Sequence, residues 1–118
     1  MAAYDENELN VADGLEYSMN MTDFYVSILD TYVEETTESI AKMDGFCEAG
    51  DMPSYATLVH AIKSSSRLIG ANLLGEEAYD LEMRAKDGDA AYIKEKHQAL
   101  KDHLQVIYDC IEGYKSTL

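Results

Sequence analysis

Between residues 93 and 114 the chain sets Ile93, His97, Leu100, Leu104, Ile107, Ile111 and Tyr114 at alternating steps of four and three. That spacing is the seam of a helix bundle, and a strand, with its two-residue period, would scatter the same residues over both faces. A helix with one apolar face must bury it against other helices, so this stretch commits the chain to helix-on-helix packing.

Three further segments carry matching stripes. The first long helix is expected at about 21–49, with Tyr25, Ile28, Leu29, Tyr32, Val33, Ile40, Met43 and Cys47 on one face, and Gly50 suits its C-terminus. The second is expected at 52–69. Asp51 is a good cap for it, Pro53 suits its first turn, and Tyr55, Leu58, Val59, Ile62, Ser66 and Ile69 form its inner stripe. The third, at about 73–87, carries Leu74, Ala78, Leu81 and Ala85 and stops at the Asp-Gly-Asp of 87–89, where Asp89 caps a fourth helix at about 90–115. A short helix within 8–18 covers one end. The connections are short and favour antiparallel neighbours, so the expected fold is all-α: one domain over 1–118, an up-down-up-down four-helix bundle with a short extra N-terminal helix. In that topology Cys47 and Cys110 lie near opposite ends, and no disulfide is expected between them.

Charge narrows the partners. The formal net charge is −14, which disfavours nucleic acid and anionic membrane surfaces, because both recruit Lys and Arg. No stretch approaches the roughly 18–20 consecutive apolar residues of a membrane span, and the acidic start MAAYDENELN does not read as a secretory signal. A cytoplasmic location and a monomer are the expectations.

Common bundle chemistries are missing. The two glycines of GANLLGEE (70–77) have P-loop spacing, but Glu76 and Glu77 stand where Lys and Ser or Thr should follow, so no ATP site is expected. The residues three before His60, His97 and His103 are Thr57, Lys94 and Leu100, so the Glu-x-x-His of a di-iron site is absent. The Asp-Gly-Asp turn lacks the ligand spacing of a calcium loop. His97 falls on the apolar seam as a core-edge histidine, and His103 reads as a surface residue.

His60 is different. At about 100° per residue the inner stripe of its helix centres on Ile62, which puts His60 roughly 160° away and facing out. Lys63, Ser64 and Arg67, three, four and seven residues on, form a donor-rich collar beside it. A neutral imidazole is a nucleophile. A phosphoryl group on it would carry close to two negative charges, which Lys63 and Arg67 could offset while Ser64 donates a hydrogen bond.

The segment HAIKSSSRLIGA (60–71) followed by LLGEEAYDLE (73–82) resembles the histidine-containing phosphotransfer (HPt) domain family. Its pattern of His, Lys at +3, small residues at +4 and +5 and Gly at +10 falls on His60, Lys63, Ser64, Ser65 and Gly70. An Ile-Gly-Ala triplet (69–71), the spacing of Leu74, Ala78, Leu81 and Glu82, and the opening with Gly14, Leu15 and Tyr25 are also similar. Where the family usually has Gly at +4, this chain has Ser64.

The resemblance implies a phosphorelay intermediate rather than an enzyme. His60 would be the phosphoacceptor, supported by Lys63, Ser64, Arg67 and Gly70. It would exchange phosphoryl groups with aspartates of response-regulator receiver domains, or take them from a hybrid sensor histidine kinase. The carrier would bind no cofactor, and the receiver would supply the Mg²⁺. The competing reading is a non-phosphorylated four-helix interaction module that binds a signalling partner.

Overall fold

The computed structural model describes residues 2–118. Five helices follow in order: α1 (Val11–Tyr17), α2 (Thr22–Ala49), α3 (Met52–Ile69), α4 (Asn72–Lys86) and α5 (Ala90–Lys115). Among the described residues there is no strand. At about 1.5 Å per residue α2 spans about 42 Å, and the molecule measures 42 × 27 × 20 Å.

Local chemistry sets the helix ends. Asn10, Asp51 and Asp89 cap α1, α3 and α5, each side chain accepting the N–H three residues on. Gly50 and Gly70 close α2 and α3 in the left-handed conformation, with φ of 73° and 92°. Only Gly50–Asp51 and Gly70–Ala71 separate α2 from α3 and α3 from α4.

Cross-links between helices show the antiparallel order. From α2 to α5, Asp30 pairs with Lys115, Thr36 with Tyr108 and Asp44 with His97, so positions rise on one helix as they fall on the other. Between α2 and α3, Tyr25 and Tyr32 reach the Ile69 carbonyl and the Ser66 hydroxyl in the same opposed sense. α5 thus closes back on α2, and four long helices surround one core.

All seven residues of the α5 stripe are buried, as are the four on α4. On α3 the stripe holds except at Leu58, which is half-buried, and Ala56 and Met52 join it. His97 lies in the core edge: its Nδ1 is 2.9 Å from the Tyr55 hydroxyl and its Nε2 is 2.7 Å from Asp44. A neutral ring satisfies both by donating to Asp44 and accepting from Tyr55. His103 departs from its expected surface place. It is mostly buried between two carboxylates, one of them from residue 8, far away in sequence. Cys47 and Cys110 are both buried and free.

The N-terminal helix covers the end of the bundle where α3 stops. The Asn10 N–H donates to the Gly70 carbonyl at 2.9 Å. A Cβ on Gly70 would overlap the Asn10 carbonyl. Gly70 therefore serves both its left-handed turn and the close approach of α1.

Candidate functional site

α3 carries His60 midway along its length, on an outer stripe with Thr57, Ala61, Ser64, Arg67 and Leu68, all exposed. The opposite side of the helix is held by buried Tyr55, Val59, Ile62 and Ser66, and the Tyr32 hydroxyl sits 2.8 Å from the Ser66 Oγ. A histidine here stands on a rigid element, with four or more intact helical turns around it.

The ring does not simply project into water. Its Nδ1 lies 2.8 Å from Oε2 of Glu82 on α4. The imidazole is 55 % exposed, whereas Glu82 is 2 % exposed. An ionised carboxylate only accepts, so the Nδ1–H donates and the proton is fixed on that nitrogen. Among the described residues nothing bonds Nε2, which carries the lone pair of the neutral ring.

Glu82 is also bonded by Lys63, whose Nζ is 2.7 Å from Oε1, and by Lys86, whose Nζ is 2.9 Å from Oε2. Burial by itself would raise the Glu82 pKa. The hydrogen bonds from Lys63, Lys86 and His60 overcome it and bring it down to about 2. The carboxylate is therefore ionised at any ordinary pH, and a nearly buried charge is matched by two cations and an imidazole.

The expected collar is only partly assembled. Lys63 is 13 % exposed and turned under the histidine toward Glu82. Ser64 is exposed one turn beyond His60. Arg67 leans away along Gly75, with its guanidinium 5.9 Å from the Tyr79 ring, in a cleft shared with Asp13, Glu16 and Asn72. Gly70 ends the helix about 15 Å from His60 and acts through packing.

Glu82 and Lys86 were given no site role on sequence grounds. The signal was present for Glu82: it lies four after Ala78 and three before Ala85, on the buried side of α4. Beside His60 an open groove of about 530 Å³ runs between α3 and α4, lined by Pro53, Ala56, Thr57, Glu82, Ala85 and Lys86. Among the described residues no group of three or more His, Cys, Asp or Glu is placed to hold a metal ion, and no helix is long and apolar enough to cross a membrane.

Fold and composition together define an all-α bundle domain. The Hpt domain family matches residues 27–109, from the first turns of α2 into the later turns of α5 and across all of α3 and α4. The chain belongs to the Hpt domain family, whose members are phosphotransfer carriers of two-component signalling that interact with receiver domains and histidine kinases. No curated protein and no solved structure matches the chain significantly.

Proposed function

We propose that this chain is a phosphorelay intermediate that accepts a phosphoryl group on Nε2 of His60 and returns it to an aspartate of a receiver domain. The observation that carries this reading is the 2.8 Å contact between His60 Nδ1 and the buried Glu82 carboxylate on a ring that is 55 % exposed: the acceptor-only carboxylate favours the proton on Nδ1 and leaves the lone pair on Nε2.

In the forward step the Nε2 lone pair attacks phosphorus of an aspartyl phosphate. The P–N bond forms, the P–O bond to the aspartate breaks, and the carboxylate leaves with the electron pair. The proton stays on Nδ1, and the positive charge that the ring gains falls beside the Glu82 carboxylate. In the reverse step an aspartate oxygen attacks phosphorus, and the neutral imidazole leaves with its Nδ1 proton in place. Neither direction needs an outside proton or a redox partner. Mg²⁺ belongs to the receiver in this scheme, and ATP is used only by a kinase upstream.

Lys63 and Lys86 hold Glu82, and Lys86, more than half exposed, shares Oε2 with the imidazole. It is the cation placed to turn toward a phosphoryl group on the ring. Exposed Leu68 on the outer stripe of α3, and exposed Tyr79 of α4 beside Lys63 and Arg67, offer the apolar contacts that docking requires.

The test is phosphotransfer from a phosphorylated receiver with Mg²⁺, using wild type and His60→Gln side by side. Acid-labile label on wild type alone is the expected result. Receiver binding without any label on a folded protein would return the chain to the binding-module reading.

A further inference from the structure

The phosphotransfer scheme leaves His103 on α5 unused, yet both of its ring nitrogens face carboxylates. Nδ1 lies 3.0 Å from Oε1 of Glu77 on α4, and Nε2 bonds Oε2 of Glu8 in the N-terminal arm. A neutral imidazole has one N–H and its cation has two. Two carboxylates at the two nitrogens are both hydrogen-bonded only by the doubly protonated ring.

The other titratable groups nearby are of both signs. Asp5 and Asp109 lie near Cys110 on the same side as Glu8. Asp80 and Lys96 flank Glu77 in the groove between α4 and α5. The Tyr55 hydroxyl of α3 and the Cys110 thiol are kept neutral by burial. Burial of the His103 ring opposes its charge, but the hydrogen bonds to Glu8 and Glu77 overcome this and raise its pKa above 6.5. The second Glu77 oxygen, Oε2, is buried with no partner among the described residues, so Glu77 leans on His103.

The arm runs along α5 in the opposite direction. The Ala3 carbonyl lies against Gly113, where a Cβ would overlap it. The Tyr4 ring meets Tyr114 edge-on at 5.8 Å, and the Asp5 carbonyl accepts from the Cys110 thiol at 4.0 Å. Glu8 then reaches His103. Beyond it, buried Leu9 and the Asn10–Gly70 hydrogen bond fix the chain independently.

We propose that His103 is a proton-operated latch that holds residues 3–8 on α5, closed while its ring is doubly protonated and open once a proton leaves, uncovering Cys110, Gly113 and Tyr114. The neutral ring donates to one carboxylate and turns a lone pair toward the other. Glu77 is carried by a helix, so the arm is the part that yields. Because the folded-state pKa is raised, the latch stabilises the protein fully below 6.5 and is lost as pH rises through the raised value. None of this depends on phosphoryl transfer.

The test is NMR of the His103 ring nitrogens and of backbone relaxation in residues 3–8, from about pH 5.5 to about pH 9, on wild type, His103→Arg and His103→Gln. In wild type both nitrogens should be protonated at the acid end, with a midpoint above 6.5. Order parameters of the arm should fall from about 0.85 to about 0.6 or lower as the midpoint is crossed. His103→Arg, charged throughout, should keep the arm ordered at every pH, and His103→Gln should leave it loose at every pH. A midpoint at or below 6.5, an arm equally ordered on both sides of it, or the same pH-dependent loosening in His103→Arg would overturn the latch.

Discussion

The imidazole of His60 and the carboxylate of Glu82 are joined across the α3–α4 seam at 2.8 Å, and the carboxylate is the buried member of the pair. The ring is thus oriented from beneath by a charge that solvent scarcely reaches. Two lysines anchor that charge in turn.

Replacing His60 with Gln should remove acid-labile labelling completely. The ring is more than half exposed and its loss removes one hydrogen bond to Glu82, so stability should fall by about 1 kcal/mol and the fold should survive. Thermal melts beside the labelling assay separate loss of the acceptor from loss of the fold.

Glu82→Gln should slow transfer about tenfold or more while leaving His60 present, because the amide no longer fixes the Nδ1 proton or the ring direction. The variant also leaves Lys63 without its charged partner, at a cost of about 2 kcal/mol. Single-turnover rates at saturating receiver measure the first effect and urea melts the second. An unchanged rate would show that the ring does not need its carboxylate.

Acid should act through the same residue. The ordinary glutamate pKa of 4.5 drops to about 2 in the folded protein. A lowered folded-state pKa contributes stability that is full above 4.5 and lost as pH falls through about 2. Wild type should therefore lose more melting temperature than Glu82→Gln across that interval. Parallel losses in the two proteins would place the acid sensitivity elsewhere.

Gly70→Ala and Gly50→Ala should separate two roles of glycine. Both have positive φ, but only Gly70 faces a carbonyl, that of Asn10, while nothing lies within 4 Å of a Cβ on Gly50. The Gly50 change should cost about 1 kcal/mol and the Gly70 change about 2 kcal/mol or more. Equal costs, read from denaturant melts, would mean that α1 does not press on the end of α3.

Docking should depend on the face that carries His60. Leu68→Ala or Tyr79→Ala should weaken receiver binding about fivefold to tenfold, as loss of an apolar interface anchor does. Val106→Ala, on α5 and equally exposed, should leave it unchanged. Calorimetric titration with a receiver domain distinguishes the two.

Most of the fold was legible because it is written in periodicity. The α5 stripe from Ile93 to Tyr114 is buried at every position, and the caps at Asp51 and Asp89 fall where short polar side chains precede apolar runs. The outward direction of His60 followed from the same arithmetic. The groups joined to it did not, because a helical wheel shows which face a residue occupies but not what crosses from the next helix. Lys63 accordingly reads as a free cation in sequence, whereas in the fold it is spent on Glu82. His103 failed for a related reason: Glu8 arrives from a segment without periodicity, and nothing local announces it.

The tight links at 50–51, 70–71 and 87–89 also bear on how the chain reaches its structure. Helices joined so closely find each other through short loops, the regime of fast assembly. Residues 3–8 lie at the far end of that scale, beyond even the α2–α5 pairs: their partners on α5 lie about a hundred positions downstream, and closing so long a loop is slow relative to pairing neighbours. During synthesis they emerge before α5 exists, so their contacts with it form only after that helix has been made.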